Sequence, residues 1–197
     1  MGEAAVATYT YAAYLALEKE GQTKYEFHNG IITPMAGGTP VHALLSMNMG
    51  FSLNNQLREK NNFCAVYSSD LKIRVETTNR TYYPDVSVVY EKPVTSTKDA
   101  NAVINPTLVV EVLSDSTAGF DRGAKFAHYR EIPSLQQYVV VSQTEAMVDT
   151  FCRVNENTWE ILTITGLEAE VKLRALDISL NMVDIYRQVE FEQASES

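Results

Sequence analysis

Residues 107–114 read Thr107-Leu-Val-Val-Glu-Val-Leu-Ser114, and between 108 and 113 only Glu111 is not apolar. A continuous apolar run of this kind is what a strand buried on both faces looks like. A helix carrying Asp121, Lys125, Phe126, Tyr129 and Arg130 is expected to follow, before Gln137-Tyr-Val-Val-Val141 resumes strand character. The sum is a strand, crossover helix, strand unit. Upstream, CAVYSSD from Cys64, LKIRVET and VSVVYEK show the period of two and the β-branched content of strands; downstream, MVDTFCRV and TWEILTIT do the same, with a further stretch around Val171 to Leu173. A short helix is expected near Val183 to Val189, and the polar 93–106 stretch reads as a loop.

Before Cys64 the pattern is different. Residues 8–19 place apolar and aromatic side chains at helical spacing, with Thr8 or Thr10 as N-cap and Gly21 as the stop. Tyr25 to Met35 reads as a β-hairpin around His28-Asn29-Gly30, because Asn-Gly supplies the positive φ angles of a tight turn. Residues 40–60 form the longest helix candidate. The fold expected is α/β or α+β, a central mixed β-sheet flanked by helices with an N-terminal helix and β-hairpin. With 197 residues, 45% hydrophobic and 21% charged, the chain has enough apolar material for one core, so a single domain over 1–197 is expected.

The charge balance narrows the function classes. Sixteen Lys and Arg against 25 Asp and Glu give a net charge of −9, which repels phosphate backbones and anionic membranes. Any nucleic-acid role then needs a local basic patch or a metal. Cys64 and Cys152 lack metal-ligand spacing and are expected as buried free thiols. The first ten residues lack a basic region followed by an apolar run, no 18-residue apolar stretch occurs, and Val6 stands where a myristoylation signal wants Ser or Thr. A cytoplasmic protein without lipid or membrane attachment is expected.

Glu111 is the strongest local oddity. A charge inside such a run costs several kcal/mol unless something positive meets it. Either a structural salt bridge to Arg or Lys or a divalent cation satisfies it. Asp85 follows Pro84 at the start of another strand, and proline at a strand's edge can bend the backbone so that the next residue aims at a neighbour. Two carboxylates on adjacent central strands, with Lys125 from a packed helix, would form a hard-cation site with a cationic partner for an anionic nucleophile. Lys72 and Arg74 alternate with apolar residues on one strand and so share a face; they either grip phosphates or are simply solvated. The stripe Tyr11, Tyr14, Leu15, Tyr25 and Phe27 could stack on nucleic-acid bases, but reads first as core or subunit-interface packing. There is no GxSxG elbow, HExxH or phosphate-cradling glycine loop to support a small-molecule hydrolase.

These segments, taken in order, resemble the Uma-type bacterial restriction endonuclease family of the PD-(D/E)XK nuclease superfamily. The likeness spans roughly residues 10–187. It rests on Tyr25-Glu26-Phe27 with Asn29-Gly30, His42, Ser69-Asp70, Pro84-Asp85-Val-Ser-Val-Val89, Pro106 to Ser114, Asp121, Lys125, Tyr129 and Tyr138 to Val141. The resemblance implies a restriction-endonuclease-like core and a Mg²⁺- or Mn²⁺-dependent endodeoxyribonuclease. Asp85 and Glu111 match the two acids, Glu26 a further metal carboxylate, and His42 a possible additional site group. The superfamily's lysine usually lies two residues after the second acid, where this chain has Leu113; Lys125 looks like its migrated replacement. By analogy, a homodimer would address both DNA strands. The alternative is a catalytically inactive nuclease-like fold acting as a nucleic-acid-binding or protein-interaction module, a reading favoured by the negative charge and by Leu113.

Overall fold

In the computed structural model, residues 8–21, 23–35, 37–114 and 118–191 are described; the reading of the first residues as free of lipidation signals lies outside them for 1–7. The chain opens with helix α1 (Tyr11–Glu20), whose N-cap Thr10 accepts a hydrogen bond from Ala13 N, then hairpin strands β1 (Tyr25–His28) and β2 (Ile31–Pro34). Asn29 at φ 49° and Gly30 at φ 103° give the turn two left-handed residues, as the Asn-Gly pair requires. Helix α2 (Pro40–Glu59) starts on Thr39, which caps His42 N, with Pro40 in its first turn, where no amide donor is needed.

The strands then run β3 (Cys64–Ser68), β4 (Lys72–Val75), β5 (Arg80–Tyr82), β6 (Val86–Tyr90), β7 (Thr95–Ser96), β8 (Asp99–Val103) and β9 (Leu108–Val112). Three short helical pieces follow: α3 (Ala118–Phe120), a π-helical turn (Asp121–Lys125) and α4 (Phe126–Tyr129). The chain continues through β10 (Gln137–Val141), β11 (Met147–Arg153), β12 (Trp159–Thr165), β13 (Glu170–Leu173), a 3₁₀ turn (Arg174–Leu176), β14 (Ile178–Asn181) and α5 (Met182–Ile185).

Two six-stranded sheets organise the fold, ordered β2-β1-β5-β4-β8-β7 and β12-β11-β10-β9-β6-β3, with β13 and β14 as a separate pair. The second sheet is mixed: β9 and β10 are parallel across their crossover, while β6 and β9 are antiparallel. Strand β9 lies inside it, and each of its faces packs into a different apolar cluster. Leu108, Val110 and Val112 meet Leu45, Met49, Leu53 and Leu57 of α2, whereas Val109 meets Tyr129, Tyr138 and, from the first sheet, Ile73 and Tyr82. That two-sided burial is why the run lacks polar alternation. Glu111 belongs by parity to the Val109 face.

The helical segment expected after β9 is present, running from Ala118 to Tyr129 through the π-helical turn. Two expectations need correction. The 93–106 stretch is not a loop, since it holds β7 and β8, with β8 pairing parallel to β4. The last helix is a single turn that ends at Ile185, well short of Val189. Cys152 is buried as expected, but Cys64 is only half-buried; both are free thiols. Among the described residues no helix is long and apolar enough to cross a membrane.

Candidate active site

Register brings the two acids together. Strands β6 and β9 pair Val86 with Val110, so one step further along the antiparallel ladder Asp85 stands across from Glu111. The bend after Pro84 turns the Asp85 carboxylate onto β9, where Oδ2 accepts the Val112 backbone N–H at 2.7 Å. His42, in the first turn of α2, approaches the same oxygen at 3.3 Å through Nε2.

Glu111 is 4% exposed, and its Oε1 receives two donors: Lys125 Nζ at 2.8 Å and the Tyr129 hydroxyl at 3.2 Å. Lys125 leaves the π-helical turn pointing inward, and its ammonium also lies 3.5 Å from Asp121 Oδ1 and 3.7 Å from Glu26 Oε1. Such turns insert a residue into a helix and are frequent at functional sites. Glu26 comes from β1 and pairs through its other oxygen with His28 Nε2 at 3.2 Å. The structure thus brings together Asp85, Glu111, Lys125, Glu26 and His42. Asp121, Tyr129 and His28 complete the cluster and were not assigned roles from sequence. Asp121 and Tyr129 stand four residues either side of Lys125, the spacing that places helical side chains on one face, so a signal was there.

Three carboxylates therefore surround one ammonium, with Asp85 across the ladder from Glu111, and the electrostatics follow from that imbalance. Burial favours the neutral Lys125, but Glu111, Glu26 and Asp121 outweigh it and hold the ammonium charged. Burial raises Glu26 too, yet the His28 hydrogen bond and the Lys125 charge win and keep its carboxyl below the usual range. Glu111 goes the other way: burial, reinforced by Asp85 and Asp121, outweighs Lys125 and lifts it well above an ordinary glutamate. The deepest carboxylate is thus the one whose charged form its surroundings stabilise least. The Asp85 hydrogen bond raises His42, against burial.

Lys72 and Arg74 are not a phosphate-gripping face. They are 6% and 2% exposed. Lys72 Nζ is held by Glu18 at 2.7 Å and Asp99 at 2.6 Å. Arg74 lies over the Tyr11 ring at 3.8 Å and donates to Thr81 and Asn79. The sequence showed that they share a face, but not that α1 and β8 cover it. Asp70 is exposed and pairs with Lys24.

The donors fit a hard cation in kind, because Asp85, Glu111 and Glu26 offer carboxylate oxygen alone. Among the described residues no three His, Cys, Asp or Glu side chains are already gathered as a metal cage.

The fold defines the class. The chain superposes with TM-score 0.71 on the crystal structure of "a putative nuclease belonging to DUF820" from Anabaena variabilis ATCC 29413, at 16% identity over 89% of this chain and 96% of that one. It shares the α+β fold of that protein. The chain belongs to the Uma2 family, described as "Putative restriction endonuclease", whose model matches residues 11–183. Two uncharacterized Synechocystis sp. proteins are similar to it. Protein sll1609 is 34% identical over 86% of this chain and 94% of its own length; slr1290 is 34% identical over 90% and 91%.

Proposed function

We propose that this protein is a metal-dependent endonuclease that hydrolyses DNA phosphodiester bonds, as one domain over its whole length. The observation that carries the reading is the Lys125 ammonium 2.8 Å from Glu111, with Asp85 one ladder step away. That lysine occupies the place that Leu113 leaves without a charge.

In this reading Asp85 and Glu111, with Glu26, hold Mg²⁺ or Mn²⁺. Such a cation supplies polarisation of the phosphate and a water acidified toward neutral pH. The protein's own groups do the rest. Lys125 is fixed by three carboxylates and so meets developing negative charge without reorganising, the condition under which a charged donor contributes most. Tyr129 and the Val112 amide each hold one acid in place, and His42 orients Asp85. On the face that Glu111 shares with Val109, the rings of Tyr82, Tyr129 and Tyr138 keep bulk water from its carboxylate. A homodimer in the cytoplasm, with one site for each DNA strand, completes the proposal.

One observation favours the competing reading of a non-cleaving, nuclease-like binding module: Lys125 and Glu111 already satisfy each other, as a structural ion pair would. Calorimetric titration with Mn²⁺ separates the two. Losing a group that merely supports a ligand costs about 10- to 100-fold in metal affinity, so Asp85→Asn, which removes a ligand's charge, is expected to weaken Mn²⁺ by at least that range. Equal affinity in wild type and variant would remove Asp85 from the site.

A further inference from the structure

The cleft beside Asp85 has a composition that selects among nucleic acids. It encloses about 880 Å³ between α2 and β3, with His42, Asp85 and Lys24 in its lining, a size within the range of ligand pockets. Its helical side is one face of α2, since residues 43, 47, 50 and 54 recur at three- and four-residue spacing. Ala43 and Gly50 keep the floor low, while Met47 and Phe51 stand above it, 71% and 63% exposed. Two large apolar side chains this bare, one turn apart in a cleft that Asp85 also lines, offer an apolar surface to a ligand. Among the described residues Lys24 is the only Lys or Arg in the cleft lining. It is part-exposed and held by Asp70, an exposed carboxylate, and by the Ser69 carbonyl at 3.1 Å, partners that a phosphate can displace.

We infer that this cleft takes an unpaired stretch of DNA, one base lying against Phe51 and Met47 and a phosphate reaching Lys24, so that the preferred substrate is single-stranded or locally opened. The inference rests on the nuclease reading of the Asp85 end and adds the substrate form. The physical contrast is direct. A duplex shows its phosphates outward and is held by many cations, with log affinity falling about 0.9 per neutralised phosphate. An unpaired strand also offers base faces, on which an exposed aromatic ring stacks while a cation meets the backbone. The bare Phe51 ring and Lys24 in one cleft lining fit the second.

The test is fluorescence anisotropy with a labelled 20-nucleotide oligothymidylate and a labelled 20-base-pair duplex, in Mn²⁺, at two salt concentrations. Wild type is expected to bind the single strand more tightly. Phe51→Ala should weaken that binding about tenfold, Phe51→Trp should restore it, and Lys24→Ala should reduce the salt slope by about one. Equal binding of duplex and single strand, or an unchanged Phe51→Ala protein, overturns the inference. So does light scattering that shows a wild-type dimer and a Phe51→Ala monomer, since a second copy would then cover this face. If wild type cleaves duplex DNA while Phe51→Ala changes nothing, the cleft inference falls and the nuclease reading stands; if neither oligonucleotide binds and no DNA is cut, both fall.

Discussion

Replacing Lys125 with Met is expected to lower DNA cleavage by about 10² or more, the cost of losing one preorganised transition-state donor. Methionine keeps most of the stem's packing against Tyr82, over whose ring the ammonium sits at 5.5 Å, and deletes only the charge. The variant should still fold, because Glu111 is already lifted toward its neutral form and can take a proton in place of the lost partner. Mn²⁺ affinity should change little, since Lys125 offers no lone pair to a cation when charged. Single-turnover cleavage beside calorimetry reads both quantities. A Lys125→Met protein that cuts at the wild-type rate would show that another group stabilises the developing charge.

The second large effect falls on stability. Lys72→Ala leaves the Glu18 and Asp99 carboxylates buried without their shared ammonium, and removing one partner of such a set costs about 3–5 kcal/mol, a large part of a typical domain's margin. The loss should depend on pH in a definite direction. Although burial raises it, Asp99 is held below the usual carboxylate range by Lys72. In wild type it therefore contributes stability above the unfolded value of about 3.9 and loses it as pH falls through the lower folded value. Without Lys72 that contribution is gone, so the difference between the proteins should be greatest near neutrality and shrink in acid. Denaturant melts across pH measure it. A Lys72→Ala variant with wild-type stability and weakened DNA binding would restore the phosphate-contact role that burial argues against.

Where the sequence could be read, a local cause was visible in it. The Leu108–Leu113 run announced a strand covered on both sides, Asn29-Gly30 announced its turn, and the carboxylate stranded at 111 announced a partner, which is Lys125. What stayed hidden was set by tertiary contacts. Strand β8 is Asp99-Ala-Asn-Ala-Val103, poor in β-branched residues, and it is a strand because it pairs with β4 and because Lys72 meets Asp99; nothing within residues 93–106 says so. Lys72 and Arg74 failed for the same reason in reverse. Their alternation fixed a shared face, but only α1 and β8, placed by the whole fold, decide that the face is inside. The neighbours of Lys125 were partly legible by helical spacing, whereas Glu26 and His28 arrive from a distant hairpin.

The most direct measurement is cleavage of supercoiled plasmid and of single-stranded DNA with Mg²⁺ or Mn²⁺, wild type beside Glu111→Ala. Expected is metal-dependent nicking or degradation by wild type, lost with chelator and reduced at least 10²-fold in Glu111→Ala, since that carboxylate anchors Lys125 and in the proposed reading would also ligate the cation. Cleavage that persists in Glu111→Ala would contradict the assignment of the site, and a wild-type protein that cuts neither DNA with either metal would contradict the nuclease reading itself.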